Sequence, residues 1–261
     1  MVNIHPTALI SKNVKLDKDV YIGPYCNLDG DIKIGCGTKI YSHVCIVGNT
    51  NIGNNNTIYP FTAIGFEPQD KKYNNEKTYV EIGDNNIIRE NVTINRGTIY
   101  ENSTTKIGNN NLLMSMTHVA HDCKLGDNIV LASGSMLAGH CLIDDFVIIG
   151  GMSGIHQFCK IGKYSMIGGG SIIRGHVLPF SLTKNNAVVG INIIGLKRKN
   201  FINSDIKIIL NSFKIVANKD SIFIKSFEEL KKDINNKNIK IIVDFMENLL
   251  NTNIGLCPFD L

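Results

Sequence analysis

Four of the seven histidines in this chain fall between positions 118 and 156. His118 and His121 lie in Thr117-His118-Val119-Ala120-His121-Asp122, His140 follows Ala138-Gly139, and His156 precedes Gln157-Phe158. An imidazole beside a carboxylate, as in His121-Asp122, can hold the tautomer that takes a proton from a hydroxyl. A nearby glycine such as Gly139 lets a backbone N–H approach a substrate and stabilise a developing oxyanion. These groups suit acyl transfer onto an alcohol with no nucleophilic serine or cysteine, and no Gly-x-Ser-x-Gly motif occurs. Clustered histidines also raise zinc chemistry. Against it, His118 and His121 are only three apart, Cys-x-x-Cys is absent, and spacing brings no acidic or cysteine ligand set to them. The expectation is therefore no metal and no cofactor. A column of solvated surface histidines is the plain alternative.

The scaffold is legible from the aliphatic residues. From Ile4 one recurs at every sixth position through Ile10, Leu16, Ile22 and onward to Ile64. The series resumes at Ile82, Ile88 and Ile94, changes phase once, and runs from Ile107 to Ile173. A period of six matches neither a helix nor a plain alternating strand, but it does match a hexapeptide β-solenoid. Gly often follows the aliphatic residue, and Asn and Gly mark the corners, where unusual backbone angles are needed. Cys123, Cys141 and Cys159 recur every eighteen residues in a small inward slot, so one coil is three hexapeptides forming a triangular prism. With seven cysteines in all and an intracellular setting, they read as core filler rather than disulfides. The same spacing places His121, Gly139 and Gln157 on successive coils of one edge, with His140 and His156 beside them. At such a corner His121 is expected to face solvent.

Composition sets the outer bounds. The 261 residues are 43% hydrophobic and 19% charged, which excludes a disordered chain. A net charge of +4 does not suit a bulk nucleic-acid binder. No long apolar run offers a transmembrane segment, and no signal peptide is apparent at Met1–Pro6, so a cytoplasmic location is expected. Two excursions interrupt the repeat: a loop insertion over 66–81 and a shorter one from about Ile99 to Thr105. Loops on a rigid scaffold are where binding residues tend to sit. After Pro179 the six-period ends. Ile206, Ile209, Leu210, Phe213 and Val216 follow helical spacing behind a Ser204-Asp205 cap. Ser226-Phe227-Glu228-Glu229 has capping-box form, and Ile239, Ile242, Phe245, Met246 and Leu249 mark a third helix. The expected division is a solenoid over 1–189 and a helical domain over 190–261. The latter carries 11 basic and 8 acidic residues. Its Lys197-Arg198-Lys199 cluster, with Lys160 and Arg174, suits an acidic partner or a phosphate.

The stretch His118-Val119-Ala120-His121-Asp122-Cys123 is more specific than the ladder. So are Leu137-Ala138-Gly139-His140, Ile149-Gly150-Gly151-Met152 with His156-Gln157-Phe158, and Gly195-Leu196-Lys197-Arg198. In this order they resemble the bacterial acyl-carrier-protein:UDP-N-acetylglucosamine O-acyltransferases of the hexapeptide-repeat acyltransferase superfamily, which open lipid A biosynthesis. The resemblance runs over essentially the whole chain. It implies an all-β solenoid, a left-handed parallel β-helix with a small C-terminal α-helical domain, assembled as a homotrimer. It implies that His121 is the general base for the glucosamine 3-hydroxyl, oriented by Asp122, with the Gly139 N–H at the oxyanion. The donor is then an (R)-3-hydroxyacyl group on acyl carrier protein. Asp70, Lys72, His118 and His140 would hold the sugar or the acyl hydroxyl. His156, Gln157, Asn192 and Arg198 would serve the nucleotide end, and Gly169 would let a long acyl tail pass. The chain departs from its relatives at Ile194, where an acidic residue is common, at Lys199, where Arg is common, at Ser133-Gly134, and in a shortened segment around Asn185-Asn186.

Four rivals share the solenoid. The related N-acyltransferase of the same pathway carries an additional N-terminal domain, for which a repeat starting at Ile4 leaves no room. A CoA-dependent acetyltransferase and a γ-type carbonic anhydrase with histidine-bound metal are two others. A non-catalytic ice-binding scaffold would need regular Thr-x-Thr arrays, which this chain lacks.

Overall fold

The six-residue period folds as one short strand and one corner per hexapeptide. The computed structural model describes residues 1–100, 103–218 and 223–261. Among these the strands form three sheets of eleven, nine and eight strands, parallel apart from one pair. Equivalent aliphatics stack in register from coil to coil: Ile4 on Ile22, Ile22 on Ile40, and Ile40 on Ile58. Ile22, Ile40, Ile58, Leu113, Leu131 and Ile149 are wholly shielded from solvent. This stacking supplies the burial that a single hexapeptide lacks. Cys123, Cys141 and Cys159 are buried, free thiols in the same core.

The corners show why Asn is so frequent. Asn55, Asn85, Asn110 and Asn128 hold left-handed φ of +53° to +59° on successive coils, a conformation that Asn tolerates. The residue after each of the first three, Asn56, Asn86 and Asn111, points inward and is buried. There each Asn Oδ1 accepts the N–H of the next coil, as in Asn86 N to Asn56 Oδ1 at 2.8 Å and Asn111 N to Asn86 Oδ1 at 2.9 Å. The ladder satisfies backbone donors that the corner leaves open.

The first excursion leaves strand Ala63–Phe66 and returns at strand Tyr79–Ile82. The second lies between Asn95 and Thr104, and its residues 101 and 102 fall outside the described residues. Past the last coil an antiparallel hairpin pairs Ser181–Lys184 with Ala187–Ile191. Its turn is Asn185-Asn186, with Asn185 at φ +55°. A six-residue period carries no signal for a hairpin, so it was not expected.

Four helices follow: α1 (Ile193–Arg198), α2 (Asn203–Val216), α3 (Phe223–Lys231) and α4 (Lys237–Glu247). Two expected caps are corrected. Helix α2 begins a residue before Ser204, with Ile202 at the N-cap and no side-chain cap bond. Asp205 lies in its first turn and accepts from Asn238 Nδ2 on α4 at 2.9 Å. Ser226 is no cap but sits inside α3, donating to the Ile215 carbonyl on α2 at 3.1 Å. The apolar stripe of Phe227 and Leu230, buried against neighbouring helices, sets the span of α3 and overrides the local cap signal.

The tail is docked onto the last coils. His176 is buried; its Nδ1 accepts from the Lys160 N–H at 3.0 Å, and its Nε2 lies 3.1 Å from Thr252 Oγ1. Burial, with the nearby Lys160 charge, pulls this imidazole down from 6.5 to about 4. Folded His176 is therefore neutral where unfolded His176 takes up a proton. Stability is lost as pH falls from 6.5 through about 4. The melting temperature should fall between pH 7 and pH 5, and His176→Gln should flatten that slope in a thermal-shift series. An unchanged slope would remove His176 from the acid response.

Candidate active site

His121, Gly139 and Gln157 occupy one corner position on three successive coils, and Asp122, His140 and Phe158 occupy the next. The register follows from the backbone bonds His140 N to His121 O at 3.0 Å and Phe158 N to Gly139 O at 3.1 Å. Asp122, His140 and Phe158 all hold left-handed φ, at 59°, 61° and 65°. That is the ordinary corner conformation of this coil, and here it aims functional side chains along the edge.

The centre is a buried His–Asp pair. His121 Nδ1 lies 2.9 Å from Asp122 Oδ2. A carboxylate only accepts, so Nδ1 donates, and in the neutral ring the lone pair is on Nε2. His121 is 7% exposed and Asp122 1% exposed, so the expectation of a solvent-facing His121 is corrected. Ring neighbours cover it: His140 meets His121 edge-on at 5.0 Å between centroids and stacks on Phe158 at 4.5 Å. Gly139 is required by this packing. A Cβ there would stand 2.6 Å from both His121 Cε1 and His121 Nε2.

Thr98 is the partner that sequence reasoning missed. Its N–H donates to Asp122 Oδ1 at 3.0 Å and its hydroxyl to Oδ2 at 2.7 Å. Thr98 lies in the second excursion, where no spacing rule links it to Asp122. Burial pushes the Asp122 carboxyl up, but the bonds from His121 and Thr98 and the nearby His140 outweigh it, leaving it below the usual carboxylate value. Asp122 is therefore charged at neutral pH and fixes the imidazole.

His118 stands one strand away, with Nδ1 2.7 Å from Thr93 Oγ1 on the paired strand. Burial, then the neighbouring His121, hold it below the ordinary histidine value, so it is neutral near pH 7. His156 is exposed and Gln157 half-buried on the next coil. Asp70 and Lys72 lie on the loop, where Asp70 Oδ1 accepts the Lys72 N–H at 2.9 Å and the Lys72 ammonium lies 5.8 Å from the Tyr100 ring centroid. The structure uses the Asn192 side chain locally: Oδ1 accepts from Gly195 N as the cap of α1, and Nδ2 donates to the Tyr164 carbonyl. Arg198 is exposed in the last turn of α1. A cavity of about 500 Å³ opens beside His140 and Phe158, bounded by Lys124, Lys160, His176 and the Thr252–Ile254 segment. A larger one, about 650 Å³, lies in the tail among mostly apolar residues and shares the Thr252–Ile254 segment with the first.

His121, Asp122 and His140 also form a potential three-ligand set, the one such group among the described residues. Spacing had suggested that no acidic ligand converges with the histidines; the corner at Asp122 brings its carboxylate between them. That carboxylate already accepts from the Thr98 N–H, the Thr98 hydroxyl and His121 Nδ1. Its bonding orients the His121 ring.

Comparison with known proteins decides the family. The acyl-[acyl-carrier-protein]–UDP-N-acetylglucosamine O-acyltransferase of Psychrobacter sp. is 50% identical over 98% of this chain and 99% of its own length. This chain belongs to that acyltransferase family. The Rickettsia bellii enzyme of the same name is 50% identical over 99% of this chain and 92% of its own. The solved UDP-N-acetylglucosamine O-acyltransferase of Moraxella catarrhalis superposes with a TM-score of 0.92 at 41% identity, covering 97% of this chain and 99% of that one. The family described as UDP N-acetylglucosamine O-acyltransferase, domain 2, matches residues 177–257, and the bacterial transferase hexapeptide repeats match 104–139. The coil is accordingly a left-handed parallel β-helix, and the protein is an acyltransferase. No helix among the described residues is long and apolar enough to cross a membrane.

Proposed function

We propose that this acyltransferase moves an (R)-3-hydroxyacyl group from acyl carrier protein to the glucosamine 3-hydroxyl of UDP-N-acetylglucosamine. This is the first step of lipid A biosynthesis, carried out in the cytoplasm by a homotrimer. The observation that carries the chemistry is the buried His121–Asp122 pair, with the lone pair of Nε2 directed along the edge beside Gly139. In this reading Nε2 takes the proton of the 3-hydroxyl as its oxygen attacks the thioester carbonyl. The Gly139 N–H meets the oxyanion, and the thiol of the carrier's prosthetic group departs with the proton. Burial raises Cys26 and Cys257, and Cys159 is pushed up to about 12, so these do not supply a thiolate nucleophile. Asp70, Lys72, His118 and His140 are assigned to the sugar or the acyl hydroxyl. His156, Gln157 and Arg198 are assigned to the nucleotide end, Arg198 with Lys197 offering charge to an acidic carrier. Asn192 shapes that end through its cap on α1.

Incubating chelator-treated protein with carrier-linked thioester and UDP-N-acetylglucosamine tests this assignment. A 3-O-acyl nucleotide sugar is expected. Acetyl transfer from CoA, acylation of an amine, or an activity that returns only with added metal would each overturn it.

Acyl length should be set at Gly169. Of the run Gly168-Gly169-Gly170, a Cβ at Gly168 would meet the Thr183 carbonyl at 2.7 Å, and Gly170 holds φ +69°. Those two glycines serve the corner. Gly169 is exposed and a Cβ there meets nothing closer than Gly151 O at 3.4 Å, so a side chain is tolerated and none is present. Gly169→Met should shift preference from a fourteen-carbon towards a ten-carbon donor, because each buried methylene is worth roughly 0.8 kcal/mol. A competition assay in which preference does not move would show that Gly169 is not the ruler.

A further inference from the structure

Arg96 has no role in the chemistry above, yet it makes the densest set of side-chain bonds on the 66–81 loop. Its Nε and Nη2 donate to the Tyr73 hydroxyl at 3.1 and 2.9 Å, and its Nη1 donates to the Gly65 carbonyl at 2.9 Å. Nη2 also lies 3.4 Å from Glu67 Oε1, and the Arg96 N–H donates to the Phe66 carbonyl at 3.0 Å. One guanidinium thus ties the loop's entry, at Gly65 and Glu67, to its middle, at Tyr73. Asp70 and Lys72 lie on the span between. The Tyr73 hydroxyl passes the restraint on by donating to the Glu76 carbonyl at 2.8 Å.

Two glycines lie beside this side chain. Gly48 and Gly65 hold left-handed φ of +68° and +82°, and a Cβ on Gly48 would stand 3.2 Å from Arg96 Nη1. Arg96 keeps only 14% of its side chain exposed. Two residues on, Thr98 holds Asp122. The segment from Arg96 to Thr98 therefore restrains the loop at one end and orients the base pair at the other, through different side chains.

We propose that Arg96 is a positioning residue for sugar recognition, fixing the Glu67–Tyr73 limb so that Asp70 and Lys72 meet the acceptor preorganised. The proposal rests on the function assigned above. Ordering the loop in advance lowers the entropy lost on binding and so acts on acceptor affinity. It does not act on the His121–Asp122 pair, which has its own support at Thr98. Lysine cannot replace Arg96, because a single ammonium lacks the planar fork that reaches Tyr73 and Gly65 together.

The test is Arg96→Lys, with Tyr73→Phe as a second variant that keeps the guanidinium. Arg96→Lys should raise KM for UDP-N-acetylglucosamine roughly tenfold or more, as loss of charge-assisted bonds does. Its kcat and its KM for the carrier thioester should stay within about threefold of wild type. Tyr73→Phe should move the same constant by less. Hydrogen–deuterium exchange over 67–77 should quicken in both variants. An acceptor KM within twofold of wild type in Arg96→Lys overturns the proposal, as does a fall in kcat at unchanged KM. A wild-type chain that acylates no UDP-N-acetylglucosamine overturns the function instead. In that event unchanged exchange over 67–77 in Arg96→Lys still removes Arg96 as the loop's restraint, and quickened exchange retains it.

Discussion

His121→Ala should lower kcat by roughly 10²–10⁴-fold, the range for loss of a general base. Asp122 and Thr98 hold the His121 imidazole in place, and no other imidazole on the edge has its Nε2 beside Gly139 among the described contacts. His118 is turned to Thr93 on the neighbouring strand. The coil should survive, because the inward residues on either side, Val119 and Cys123, carry the packing there and are untouched. Initial rates with the carrier thioester, beside a melting curve, check both halves. Activity within about threefold of wild type would exclude His121 as the base.

Gly139→Ala should cost roughly 10²-fold in kcat, although it adds a single methyl group on the coil adjoining the base. The new Cβ would overlap His121 Cε1 and Nε2 at 2.6 Å, so the ring must move. The ring is confined between Asp122 and His140, and displacement on the scale of an ångström is enough for a loss of this size. Gly139 does not hold a left-handed φ, so alanine brings no backbone strain. Steady-state kinetics with a thermal unfolding check decide it: a folded variant with unimpaired kcat would show that the imidazole position is not critical.

The chain discloses its coil and its histidine edge for one physical reason. A period of six with an eighteen-residue coil converts sequence distance directly into spatial position. Ile22 over Ile40 and His121 over Gly139 are both read by adding one coil. That arithmetic fails wherever the period breaks. Thr98 and Arg96 belong to or border an excursion, so their bonds to Asp122 and Tyr73 follow no spacing. The 181–191 hairpin and the entry into α1 lie past the last repeat. Helix ends were displaced for a related reason: Ser226 has the residues of a cap, but the burial of Phe227 and Leu230 carries the helix through it. Burial itself was misjudged at His121, because a corner is exposed in an isolated coil and covered where ring side chains stack on it.

The substrate hydroxyl should attack the thioester itself, with His121 as base and no acyl-protein between. A single turnover with carrier-linked (R)-3-hydroxyacyl thioester and UDP-N-acetylglucosamine, quenched over time, tests it by intact-protein mass alongside the product. The account predicts acylated nucleotide sugar growing in step with loss of thioester, and a protein mass that never gains an acyl group. An acyl-protein that appears before the product and decays as the product forms would contradict it.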